Sequence, residues 1–244
     1  MGFLDSVFGS SDTKRAKTIE RAAKKLKNPH HQTDERKRQI EVLTDIGTPE
    51  AVFAMLGRFS MRTPGSIVDE DEKNMVFRSL IQLGDVAVEP IQRFISTQDA
   101  VYWPLRALTE IAGATVAVDT LLGALKGVEH GYNADMDRKE QLVANLREYL
   151  EDPRALDKLV ELVDDPHEEV RVQSLDALCE TADPRVAAVV LRKLLDPEET
   201  SRVKNTLWTI LVDRGIDMGH HRSELAEVIP DNMFIDGTGV VRRK

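Results

Sequence analysis

EDPRALDKLVELVDDPHEEVRVQSLDALCETADPRVAAVVLRKLLDPEET, Glu151 to Thr200, carries Asp-Pro at 152, 165, 183 and 196, with gaps of 13, 18 and 13 residues. Asp is favoured at a helix N-cap because its carboxylate accepts hydrogen bonds from the free N–H groups of the first turn. Pro fits directly after it, where its missing N–H would have had no intrahelical partner. Each Asp-Pro therefore predicts a helix start, giving four helices of about 10–15 residues joined by very short turns. Thr48-Pro49 reads as a fifth start, with Glu50 placed to favour the helix dipole.

The gaps alternate short and long, so the unit is a pair of helices. From 152 to 183 is 31 residues, and from 165 to 196 is again 31. At that register Arg154 falls on Arg185, Glu168 on Glu199 and Arg171 on Arg202. A fixed period in helix pairs is the signature of an α-solenoid, in which each pair covers an apolar flank of its neighbour. Phasing outward on Leu43, Leu80, Leu108, Leu146, Leu178 and Leu211 predicts first helices near 34–46, 71–83, 100–112, 136–149, 167–181 and 198–213. Second helices are expected near 49–60, 86–96, 115–126, 153–164 and 184–195. The stretch SMRTPGSIVDEDEK, 60–73, reads as an insertion and the longest loop.

EEVRVQSLDALCETADPRVAAVVLRKLL and FRSLIQLGDVAVEPIQRFI resemble HEAT repeats of the bacterial, phycobilisome-lyase-like kind, over about residues 32–215. The resemblance implies an all-α fold, a right-handed α-solenoid of five to six antiparallel helix pairs. On this reading residues 1–31 are an amphipathic, basic N-terminal extension and capping helix, 32–215 the solenoid, and 216–244 a C-terminal cap and tail. Asp236-Gly237 between apolar pairs is consistent with a small C-terminal hairpin or an extended tail.

The totals bound the function. The chain has 244 residues, a net charge of −9 and a single cysteine, Cys179. One thiol excludes an intramolecular disulfide and suits a reducing cytoplasm. No apolar run approaches the roughly 18 residues that span a bilayer. Residues 12–38 hold ten Lys/Arg against four Asp/Glu, a local +6, so with Asp5 also set aside residues 39–244 carry −14. A body of that sign opposes the counterion release that drives nucleic-acid binding, which is therefore not expected.

Catalytic and metal motifs are sparse. His30-His31 and His220-His221 are adjacent pairs whose side chains diverge on a helix, and His167-Glu168 is not repeated from unit to unit. No HExxH, CxxC, GxSxG or phosphate-cradling glycine loop occurs. No catalytic residue, metal ligand or cofactor is expected, and Cys179 reads as a small core thiol. The function implied is a non-catalytic protein-interaction scaffold or adaptor of bacterial, cytoplasmic style. The alternatives are a HEAT-like alkylpurine DNA glycosylase and a phycobilin-lyase-type enzyme or chaperone.

Second helices usually line the concave face of such arrays, so their polar positions Arg58, Arg93, Lys126, Lys158, Glu161, Arg192 and Lys193 are candidates for holding an acidic protein. Trp103 aligns with the outward Gln173 and beside Tyr102 reads as an interface anchor, unless Pro104 turns the ring inward. At the N-terminus, DTKRAKTIERAAKKLKNP, 12–29, sets Ala16, Ile19, Ala23 and Leu26 on one stripe among lysines. MGFLDSVFGSSD places Phe3, Leu4, Val7 and Phe8 on another, followed by a Gly/Ser hinge. Residues 1–28 are read first as a cap, with a docking peptide or a peripheral membrane contact as the other readings.

Overall fold

All four Asp-Pro pairs make one local bond: the Asp carboxylate accepts from the backbone N–H two residues on. The acceptors and donors are Asp152 and Arg154 (2.9 Å), Asp165 and His167 (3.0 Å), Asp183 and Arg185 (2.8 Å), and Asp196 and Glu198 (2.9 Å). Arg154 and Arg185, 31 residues apart in sequence, each fold back on their own Asp through Nε and Nη2 at 2.7–3.0 Å. The repeat in the text is thus a repeat in contacts. Its outcome differs from the expectation at two of the four places. At 152 and 183 a helix follows at once, whereas after 165 and 196 it begins only at Glu168 and Ser201. The second of these is capped by Thr200, whose hydroxyl accepts from the Val203 N–H.

The computed structural model describes the backbone of residues 4–129 and 136–244, and the side chains of residues 12–128 and 136–244. The expected Phe3 position lies outside the described residues. The helices are α1 Leu4–Leu26, α2 Thr33–Ile46, α3 Pro49–Leu56, α4 Ser66–Leu83, α5 Val88–Thr97, α6 Tyr102–Ala112, α7 Ala114–Glu129, α8 Met136–Leu146, α9 Pro153–Leu162, α10 Glu168–Leu178, α11 Arg185–Leu195, α12 Ser201–Arg214 and α13 Arg222–Ala226. Two short strands follow, β1 Met233–Ile235 and β2 Val241–Arg243. The chain is therefore mostly helical with a small antiparallel strand pair at its C-terminal end. Among the described residues no helix is long and apolar enough to cross a membrane.

Contacts group the chain into two compact units, Met1–Tyr132 and Asn133–Lys244, where the sequence reading drew one array over 32–215. In the first unit α2 packs on α4 and α4 on α6, while α3 packs on α5 and α5 on α7. First helices thus touch first helices, and second touch second. The buried residues follow the helical stripes: Ile40 and Leu43 of α2, Val76 and Leu80 of α4, Leu105 and Leu108 of α6. Helix α2 ends at Gly47, whose φ of 60° is the left-handed turn that releases the chain into α3. α3 is capped by Thr48, as its Thr-Pro start predicts.

Helix α1 packs on α2 and α3 through its C-terminal turns, where Ala22 and Leu26 are buried. The hinge expected at Gly9–Ser11 is not formed; α1 is continuous from Leu4. The loop expected over 60–73 is likewise shorter. Helix α4 begins at Ser66, and the acidic run IVDEDEK lies inside it.

In the second unit α8 packs on α10 and α10 on α12, with α9 against α10 and α11 against α12. The strand pair closes this unit: β2 packs on α12, and Asp236 accepts from the N–H groups of Thr238 and Val240 and from the Arg242 guanidinium. Gly239, at φ 87°, passes so near Gly219 that an added Cβ would lie 2.7 Å from its backbone.

Candidate protein-binding surface

Two of the residues expected on an open face are instead buried in ion clusters. Arg58 is fully buried just beyond α3, and its Nε donates to Glu72 at 2.7 Å while its Nη2 donates to Asp69 at 2.8 Å. Arg36 of α2 meets the same Glu72 carboxylate through Nε and Nη2 at 2.8–3.0 Å. Burial would push the Asp69 carboxyl up, but hydrogen bonds from Lys73, Arg58 and the Thr63 N–H outweigh it and hold it well below the usual range.

The second unit repeats the device. Lys193, near the end of α11 and only 4 % exposed, donates to Glu199 at 3.0 Å and pairs with Asp164 at 2.9 Å. Arg171 of α10 grips Glu199 through Nε and Nη2 at 2.8–3.1 Å. Burial again raises the Glu199 carboxyl, and Arg171, the Thr200 N–H and Lys193 pull it lower still. The spacing is shared: Arg36 to Arg58 is 22 residues, and Arg171 to Lys193 is 22. In each case a cation on a first helix and a cation at or just past the end of the next helix close on a glutamate that comes with the following pair. The expectation of solvent-facing Arg58 and Lys193 is therefore corrected: an anion supplied by the neighbouring pair takes both side chains inward.

The other candidates scatter. Lys158 and Glu161 pair with each other at 2.9 Å on α9. Arg192 is exposed and bound to Asp164 at 2.8 Å. Lys126 is exposed near the end of α7. Arg93, half exposed on α5, lies 4.1 Å from the centroid of the Phe53 ring on α3, and Phe53 in turn meets Phe94 edge-on at 5.8 Å.

Trp103 is neither free nor fully buried. Helix α6 starts at Tyr102, which sinks Pro104 and lays the indole parallel to Phe59 at 6.0 Å, with Phe77 edge-on at 6.1 Å. Tyr102 stays 50 % exposed and meets Trp103 edge-on at 5.9 Å. Arg106, one turn on, holds its guanidinium 5.1 Å from Trp103, 5.3 Å from Phe77 and 5.6 Å from Tyr102. Ring quadrupoles position a guanidinium without neutralising it. Among the described residues no carboxylate forms an ion pair with Arg106, so its five donors face outward on an aromatic bed. Sequence reading passed over Arg106; the usable signal was its helical i+4 and i+3 spacing from Tyr102 and Trp103.

Elsewhere the chemistry is quiet. Burial pushes the Cys179 thiol up to about 12, which keeps it protonated. Among the described residues no group of three His, Cys, Asp or Glu is placed to hold a metal ion. His167 pairs with the buried Asp165 at 3.2 Å. No known protein-family model matches this chain, and no curated protein matches it either.

Proposed function

We propose that the chain is a non-catalytic scaffold, a right-handed HEAT-like array of helix pairs that holds another protein on its first unit. The observation that carries this is Arg106, exposed, seated on three aromatic rings and unopposed by a carboxylate among the described residues. An exposed Tyr beside a stacked Trp and an unneutralised Arg is the composition that dominates binding energy at protein interfaces. The guanidinium fork matches a carboxylate, so an acidic partner segment fits it best. Arg93 on Phe53 offers a second guanidinium on a ring, though Glu89 stands 4.0 Å from it. The array reading is supported by first-on-first helix packing inside each unit and by second-on-second packing in the first.

The test is photo-crosslinking from position 102 in full-length protein, in extract of the native host. A discrete partner should be captured, and Arg106→Ala should reduce the yield at least about tenfold while changing folding stability by roughly 1 kcal/mol or less. An unchanged crosslink pattern in Arg106→Ala would count against the surface. Turnover of alkylated DNA by the purified protein would count against the scaffold.

A further inference from the structure

We infer that helix α1 docks this protein on an anionic membrane surface, independently of the partner face on α6. Three observations carry it. First, α1 outruns its support: Ala22 and Leu26 are buried against the array, whereas every side chain from Asp12 to Thr18 is exposed. Second, the helix is continuous back to Leu4, so positions 4, 8, 11, 15 and 19 fall along one stripe. Leu4, Val7 and Phe8 make the far end apolar. Third, residues 12–27 hold seven Lys/Arg and two Asp/Glu, a net +5, while residues 39–244 carry −14.

These features select one kind of surface. A short amphipathic helical segment is marginal in water by itself and gains order from whatever covers it. Nucleic acid offers phosphates to the lysines but nothing to Leu4, Val7 and Phe8. A bilayer with anionic lipid takes both, the apolar end at the acyl boundary and the cations among the headgroups. The acidic body is repelled by that same surface, so only α1 approaches it, and the exposed residues 12–18 act as the spacer. Lys24 and Lys25 are tied to Glu20 and Glu35 at 2.7 Å and Arg15 to Asp12 at 2.5 Å, which leaves Lys14 and Lys17 as the nearest cations to the apolar end without an ion pair among the described residues.

The experiment is sedimentation of full-length protein with sucrose-loaded vesicles, either pure phosphatidylcholine or with about one-third phosphatidylglycerol. Binding is expected only to the anionic vesicles and should weaken as salt is raised. The variant L4S/V7S/F8S should lose at least about tenfold in affinity, and K14E/K17E a similar factor, the latter with an unchanged circular dichroism melt because Lys14 and Lys17 are exposed. Equal binding to neutral vesicles, or undiminished binding by L4S/V7S/F8S, would overturn the inference. So would retention of duplex DNA or polyglutamate as tightly as the anionic vesicles. Arg106→Ala should bind vesicles normally, which separates this inference from the fate of the protein-binding surface.

Discussion

In the first unit Glu72 is fully buried between Arg36 and Arg58; in the second, Glu199 is 2 % exposed between Arg171 and Lys193. The clusters are alike in where their cations come from and in holding a second carboxylate, Asp69 on Arg58 and Asp164 on Lys193, and unlike in depth: the Arg36 and Arg58 side chains are 3 % and 0 % exposed, those of Arg171 and Lys193 12 % and 5 %. Glu72 is the one carboxylate that Arg36 meets among the described residues, and it closes the cluster from inside α4. Lys193 also has Asp164, which reaches Arg192 too. The surfaces differ more. In the second unit exposed arginines lock neighbouring helices by ion pairs: Arg185 to Asp157 at 2.7 Å, Arg202 to Glu168 at 3.0 Å, Arg147 to Asp176 at 2.9 Å. In the first, Arg93 and Arg106 lie on rings. A cation closed on a carboxylate is spent holding the fold, while one resting on a ring keeps its donors for a ligand. That contrast is what the proposed partner surface on the first unit rests on.

The largest expected effect breaks the buried cluster. Glu72→Ala leaves two guanidinium groups buried without their shared anion and should cost about 3–5 kcal/mol. Glu199→Ala should cost less, about 2–3 kcal/mol, because the cation it strands, Arg171, is 12 % exposed where Arg36 is 3 %, and water reaches it more readily. The two tryptophans fall one in each unit, so urea melts followed by Trp103 in a Trp208→Phe background, and the converse, read the units separately. Equal losses in both would erase the asymmetry in depth of burial.

Acid gives the next largest effect. Asp69 in the first unit and Asp165 and Glu199 in the second have lowered folded-state pKa values, despite burial that opposes the shift, because cations and backbone N–H groups grip them. Their contribution to stability is complete above the ordinary carboxylate range, near 4, and is lost as pH falls below it toward each folded pKa. Melting temperature should therefore hold from pH 7 to about 5 and drop steeply below 4, in both units. A flat profile down to pH 3 would contradict the buried pairing.

The smallest effect tests the open face of the first unit. Gly123 on α7 is exposed, with nothing within 4 Å of where a Cβ would stand. Gly123→Ala should raise stability by about 1 kcal/mol in a thermal melt, since the helix carries the entropy of glycine without needing its freedom. A loss of stability there would mean that a neighbour lies closer than the structure shows.

Several elements were legible in the sequence. Thr48 caps α3 and Asp152 caps α9, where the Thr-Pro and Asp-Pro pairs said they should. The Asp236-Gly237 turn produced the hairpin, one of its two readings. Asp165 and Asp196 show where such reading stops. Both make the local bond their neighbours make, yet their helices begin later, because Asp165 turns inward to Lys139 and Glu199 turns inward to Arg171 and Lys193. Arg58 and Lys193 look like solvated ends of amphipathic helices until the next helix pair returns an acid to them. Trp103 aligned with the outward Gln173 unless Pro104 turned it inward, and the start of α6 at Tyr102 rather than near 100 laid it against Phe59.

The order of residues by itself determined most of the helices and the starts at Thr48 and Asp152, because caps, prolines and apolar spacing act over a few residues and carry their signal wherever the chain goes. Which charges are buried, which arginine is left open on aromatic rings, and how far α1 reaches past its support were decided only in three dimensions. Those outcomes depend on groups separated by tens of residues, such as Arg36 and Glu72 or Phe59 and Trp103. Their approach is set by helix packing, which no local pattern encodes.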